Sequence, residues 1–214
     1  MNIIRKNNII LRKIMAEWIN NNYIEITGAI FAFVYLLLEI KRKWFFWIVG
    51  IVSSAFYVYI FFQAALYAEM GLNFYYILMC AYGLYCWKFS SEAGDENVGF
   101  HRIDTKTTFA LFFLFIVLFG LVLLFLHQFT DSQAPIPDAS IAILSIIATW
   151  MTAKKIVECW YVWIFVNFFA TVLYIHQQLY PTAVLFTVYS ILSFVGLIEW
   201  KKTIKHNDSA YSKF

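Results

Sequence analysis

Gly83-Leu84-Tyr85-Cys86-Trp87-Lys88 returns as Gly196-Leu197-Ile198-Glu199-Trp200-Lys201, 113 positions later. Working outward with no gap, residues 25–88 align with 138–201. Lys41 recurs as Lys154, Trp47 as Trp160, Leu66-Tyr67 as Leu179-Tyr180, Leu72 as Leu185 and Tyr76 as Tyr189. With Ala29-Ile30, Val49, Ile51 and Phe56 this makes 15 identities in 64 pairs. A chain so rich in Phe, Ile and Leu gives about four or five by chance. Duplicated halves in a membrane protein usually build a transporter with its site where they meet.

Composition sets the solvent. The chain is 62% hydrophobic and 14% charged, more apolar surface than a water-soluble domain of 214 residues can bury. Apolar runs near the length that crosses a bilayer, about 20 residues, fall at 23–40, 44–64, 68–87, 107–128, 137–153, 158–178 and 181–200. The expected fold is therefore an all-α membrane protein of seven transmembrane helices. Residues 23–88 form a first three-helix repeat and 137–201 a second. A cytoplasmic loop (89–106) and a linker segment with helix 4 (107–136) lie between them. Three helices reverse the sense of the chain and helix 4 restores it, so the repeats are expected to be parallel. Residues 1–22 read as a tail or an interfacial helix, both open, and 202–214 as a C-terminal tail.

Charge gives the orientation. Lys41, Arg42, Lys43, Lys88, Arg102, Lys106, Lys154, Lys155, Lys201, Lys202, Lys205 and Lys213 lie on one face, and only Arg5, Lys6, Arg12 and Lys13 on the other. The excess places the C-terminus in the cytoplasm and the N-terminus outside. Glu25, Glu39, Glu69, Asp138, Glu158 and Glu199 fall at helix ends, so no acid is expected at mid-bilayer to relay a coupling ion.

Other chemistries find no residues. No phosphate-binding G-x-x-x-x-G-K-[ST] is present. Cys80, Cys86 and Cys159 make no C-x-x-C and read as small apolar residues, not metal ligands. No Lys lies between Pro181 and Trp200 to form a retinal Schiff base. Sparse His and terminal carboxylates offer no catalytic set, and neither cofactor nor metal is expected.

Candidate binding residues cluster in the sixth span. Trp160, Trp163 and Asn167 are three and four apart, on one helical face. A mid-helix amide is costly in lipid and should face the bundle, either walling a pocket or tying helices together. Trp160 reads equally as a headgroup anchor. Gly50 and Ser54 hold the equivalent positions of the first repeat, so any site is asymmetric. Trp47, Gln63, Asn73, Tyr76, Gln177 and Tyr189 complete the candidates.

Leu66-Tyr67-Ala68, Tyr82-Gly83-Leu84-Tyr85-Cys86-Trp87 and Trp160-Tyr-Val-Trp163-Ile-Phe-Val-Asn167, set in a three-plus-one-plus-three layout, resemble the PnuC-type vitamin transporters. The similarity spans residues 24–202. It implies a SWEET-like fold in the bacterial inner membrane. It also implies uptake of nicotinamide riboside by facilitated diffusion, trapping by a cytoplasmic vitamin kinase, and a homotrimer as a possible assembly. Nicotinamide riboside and thiamine are flat aromatic cations, which suits a chain that is 21% aromatic. Relatives that look like riboside carriers have an Asn near Ser53 or Ser54. Ser at this place keeps thiamine open as the cargo, and a substrate-binding subunit of a larger transport complex is the third reading.

Overall fold

The structure, a computed structural model, describes residues 27, 30–63, 67–89, 99–129, 135–176 and 180–211. The expected segment 1–22, residues 90–98 of the loop 89–106 and Gln177 lie outside these residues. Among those described are seven helices and no strand. They are α1 (Ile30–Ile40), α2 (Phe46–Gln63), α3 (Tyr67–Phe89), α4 (Thr105–Phe129), α5 (Pro135–Ala153), α6 (Cys159–His176) and α7 (Tyr180–Tyr211). This is the all-α, three-plus-one-plus-three order read from the sequence. By length and composition α4 to α7 can each cross a membrane.

Boundaries differ mainly at the end of α7. The apolar pattern stops at Trp200, but the helix continues to Tyr211. Nothing in Lys201–Tyr211 is Pro or Gly, so no residue breaks the backbone ladder, and Thr203 and Ile204 are buried. Asp104 caps the start of α4, its carboxylate accepting the Thr107 N–H at 3.1 Å. Those bonds hold the Asp104 carboxyl below its ordinary range. The outer face of α4 is apolar and uncovered, as Phe109, Phe112, Phe113 and Leu121 show. The helix packs on α5.

The chain forms two compact units, Met1–Leu37 with Phe45–Ala81, and Leu38–Trp44 with Tyr82–Phe214. In the first, Tyr35 of α1 meets Phe46 edge-on at 5.1 Å, and Phe46 and Trp47 are fully buried. Gly50 lets α1, α2 and α3 approach. A Cβ there would stand 2.7 Å from Cys80 Sγ and 2.8 Å from the Tyr35 ring. In the second unit Gly196 has the same use. Its Cβ would lie 2.5 Å from three atoms of the Trp160 ring, so the indole lies flat on α7 at the glycine.

The second unit also contains the α1–α2 turn of the first repeat, and here the duplication is visible bond for bond. Arg42 N–H donates to Glu39 O (3.0 Å) and Lys43 N–H to Leu38 O (3.1 Å). At the α5 terminus Lys155 N–H donates to Thr152 O (3.0 Å) and Ile156 N–H to Met151 O (3.0 Å). Arg42 and Lys155 are both left-handed, with φ of 59° and 58°. Each helix thus ends in a Schellman turn whose left-handed residue is a cation rather than the usual glycine.

Part of the inter-repeat loop is docked. Phe100 is buried against Trp87 and Trp200, at 5.6 and 4.8 Å. His101 pairs with the 155–157 backbone, and Ile103 N–H donates to Glu158 Oε2 at 2.9 Å. Burial of the Phe100 ring and the bonds to the 155–158 turn together oppose the entropy of ordering these residues.

Gly196→Val should lower the unfolding free energy by about 1–3 kcal/mol, because the Trp160 ring has no room to retreat. Thermal unfolding in detergent measures this. A variant as stable as the parent would show that the indole does not rest on Gly196.

Candidate functional site

The α1–α2 turn sits at the centre of an aromatic cluster. Trp200 donates its indole N–H to Glu39 O at 3.2 Å, and Trp87 donates its own to Thr152 O at 3.2 Å. Residues 87 and 200 are repeat equivalents, as are 39 and 152, so one contact is made twice in exchanged roles. The Trp87 and Trp200 rings are 5.9 Å apart, and Trp160 meets Trp200 edge-on at 5.3 Å. Lys155, buried, lies over Trp87 at 5.1 Å and Phe100 at 5.5 Å. Stem burial and ring quadrupoles together stabilise a cation in such a place. Arg42 reaches the Glu199 carbonyl at 3.0 Å.

Side chains complete the centre. Glu39 is 2% exposed and accepts the Thr152 hydroxyl at 3.2 Å. Trp163 donates its indole N–H to the same Thr152 oxygen at 3.4 Å. Four residues along α6, Asn167 is 6% exposed and donates from Nδ2 to Ser193 of α7 at 3.1 Å. Ser145 and Thr149 continue a buried polar line on α5.

The sequence candidates are therefore distributed unevenly. Trp163 and Asn167 do share one side of α6, with Trp163 half-buried and bonded to α5 and Asn167 bonded to α7. Trp160 is 0% exposed and packs as interior between Gly196 and Trp200. Trp47 is interior to the first unit, beside Phe46 at 4.4 Å. Tyr189 lies 5.8 Å from Phe186, which in turn meets Tyr174 at 5.1 Å. In the first unit Ser54 is buried, Asn73 and Tyr76 are partly buried, and Gln63 is exposed at the end of α2. Glu39 and Thr152 were not among the candidates. Their sequence signal was faint: an acid ending an apolar run, facing a hydroxyl residue in the other repeat. Among the described residues no group of His, Cys, Asp and Glu could hold a metal ion.

An all-helical membrane chain of two three-helix repeats about a linker helix, with an indole and an amide on one side of α6, is built as a multi-pass membrane transporter. The chain belongs to the nicotinamide mononucleotide transporter family, whose sequence profile matches residues 22–202. It is 20% identical over 212 residues to the nicotinamide riboside transporter PnuC of Escherichia coli K12, covering 88% of this chain and 89% of that relative. The same transporter from Shigella flexneri matches to the same extent. The fold is that of the crystal structure of the vitamin B3 transporter PnuC, with a TM-score of 0.72 at 21% identity over 92% of this chain and 88% of that one. The protein is thus a transporter and not an enzyme.

Lys155→Met should keep the stem and lose the cation over Trp87 and Phe100. The expected cost is about 0.5–2 kcal/mol of stability. Denaturant unfolding compares the two, and an unchanged midpoint would assign Lys155 no role in holding the aromatic cluster.

Proposed function

We propose that this protein carries nicotinamide riboside into the cell by facilitated diffusion across the inner membrane, with cytoplasmic phosphorylation trapping the vitamin. The observation that carries this reading is the pair Trp163 and Asn167 on α6, in a chain of this family. An indole face attracts a pyridinium cation by about 0.5–2 kcal/mol. The adjacent buried amide has hydrogen-bonding capacity for a ribosyl hydroxyl. Tyr189 of α7 is the further contact we assign to the ligand. The E. coli and S. flexneri relatives, named as nicotinamide riboside transporters, support the choice of cargo. The excess of Lys and Arg on the face bearing the 1–2, 3–4 and 5–6 loops favours a cytoplasmic C-terminus and an external N-terminus.

Downhill movement suffices for such a cargo. A unit positive charge gains about 2.3 kcal/mol per 100 mV of membrane potential, inside negative. Kinase trapping then completes accumulation. In liposomes at zero potential and without kinase, nicotinamide riboside should enter and stop at equal concentrations. Uphill accumulation driven by a proton or sodium gradient alone would overturn the uncoupled mechanism.

Asn167→Leu should abolish binding in a folded protein, because Ser193 keeps its bond to Tyr189 O at 2.8 Å. Binding retained within about twofold would make Asn167 a tie between α6 and α7 only. Ser54 in place of an amide favours fewer polar contacts, as thiamine would need. Competition titration decides the cargo, since displacement by thiamine at a hundredfold lower concentration would replace the riboside reading.

A further inference from the structure

We propose that Glu39 is a positioning residue for the ligand-stacking indole of Trp163, acting through the hydroxyl of Thr152. The inference rests on the reading of Trp163 as a ligand contact and adds how that ring is held.

The argument begins with what hydroxyls do elsewhere in this protein. Ser145, Thr149, Thr171, Thr187 and Ser193 each donate to the carbonyl four residues back in their own helix, at 2.8 Å. That is the default for Ser and Thr in an apolar helix, where the nearest acceptor is the preceding turn. Thr152 departs from it. Its hydroxyl donates to Glu39 Oε1 instead, away from Ala148, the residue four back.

The direction of that one proton fixes everything around it. A hydroxyl has one donor and two acceptor lone pairs. With the donor committed to Glu39, a lone pair is left for the Trp163 indole N–H at 3.4 Å. The indole N–H only donates, so Trp163 needs an oxygen in that place to fix its ring plane. If Glu39 loses its acceptor, Thr152 is free to turn to its own helix as the other hydroxyls do. The lone pairs turn with it, and Trp163 loses its anchor.

The backbone keeps Glu39 in place independently of its side chain. Its carbonyl accepts both Trp200 and the Arg42 N–H of the Schellman turn. Substitution of the carboxyl therefore leaves the turn braced. Among the described residues no cation pairs with the Glu39 carboxyl, whose one side-chain partner here is Thr152. A carboxyl buried in this way and bonded to a hydroxyl is placed for orientation rather than for a salt bridge.

The test uses purified full-length protein titrated with nicotinamide riboside, and the indole N–H resonance of Trp163 identified by its loss in Trp163→Phe. Glu39→Leu and Thr152→Val should weaken binding about fivefold to tenfold, the worth of one orienting hydrogen bond. Glu39→Gln and Thr152→Ser keep the acceptor and the hydroxyl, and should stay within about twofold. Both weakening variants should move the Trp163 resonance, and both conservative ones should leave it. In the Trp163→Phe background, which has no N–H to anchor, Glu39→Leu should add less than about twofold. An equal loss in that background would overturn the proposal, as would a stationary Trp163 resonance in Glu39→Leu. If Trp163→Ala keeps full affinity, the assignment of Trp163 to the ligand fails and the proposal fails with it. If Trp163→Ala abolishes binding but Glu39→Leu does not weaken it, positioning fails alone.

Discussion

Two carbonyls at helix ends govern this structure. A helix leaves its last carbonyls without intrahelical donors, and in a nearly anhydrous interior each unmet one costs a few kcal/mol. Glu39 and Thr152, each one residue before the end of α1 and α5, are buried. Each carbonyl is met twice, by the backbone of its Schellman turn and by a Trp from the opposite repeat's third helix. The indole is well suited to this. It supplies a single donor at the edge of a large apolar plane, so the bond is made without importing a second polar atom. Once Trp87 and Trp200 are fixed in this way, their faces define the slots that Phe100, Trp160 and the Lys155 stem fill.

Loop docking then follows from side-chain packing. Phe100 enters the cluster, and its neighbours His101 and Ile103 find partners on the 155–158 turn. The connector between repeats is thereby anchored on the second of them, just before Asp104 starts α4. Glycine performs the complementary task inside each bundle. Gly50 and Gly196 remove a side chain where an aromatic ring must touch a helix backbone.

Much of this was legible in the sequence, for identifiable reasons. Span number and order follow from apolar run length, and the duplication from the recurrence of Trp47, Gly83 and Trp87 as Trp160, Gly196 and Trp200. Trp163 and Asn167 share a helix side because three-and-four spacing requires it. The turns were not legible. A Schellman stop is normally announced by Gly, and here Arg42 and Lys155 occupy the left-handed position. Spacing cannot tell which side of α6 faces a glycine on α7, so the contact of Trp160 with Gly196 has no sequence signal. Glu39 was placed correctly at a helix end, but its burial depends on the turn being held among residues more than a hundred positions away. Tertiary placement of that kind has no local pattern to betray it.

The Glu39–Thr152 bond also bears on how such a chain came to be fused. Were each half a separate polypeptide pairing with its own copy, the residues meeting at this point would have to be identical, because an isologous contact sets one position against itself. A buried Glu would then face a Glu, and two carboxylates so close cannot both be ionised. Joining the halves in one polypeptide removes that constraint. Acid can face hydroxyl, and the surrounding indole bonds keep their mirrored roles. Gene fusion here means more than convenience of assembly, for it permits a polar pair that no symmetric ancestor could encode.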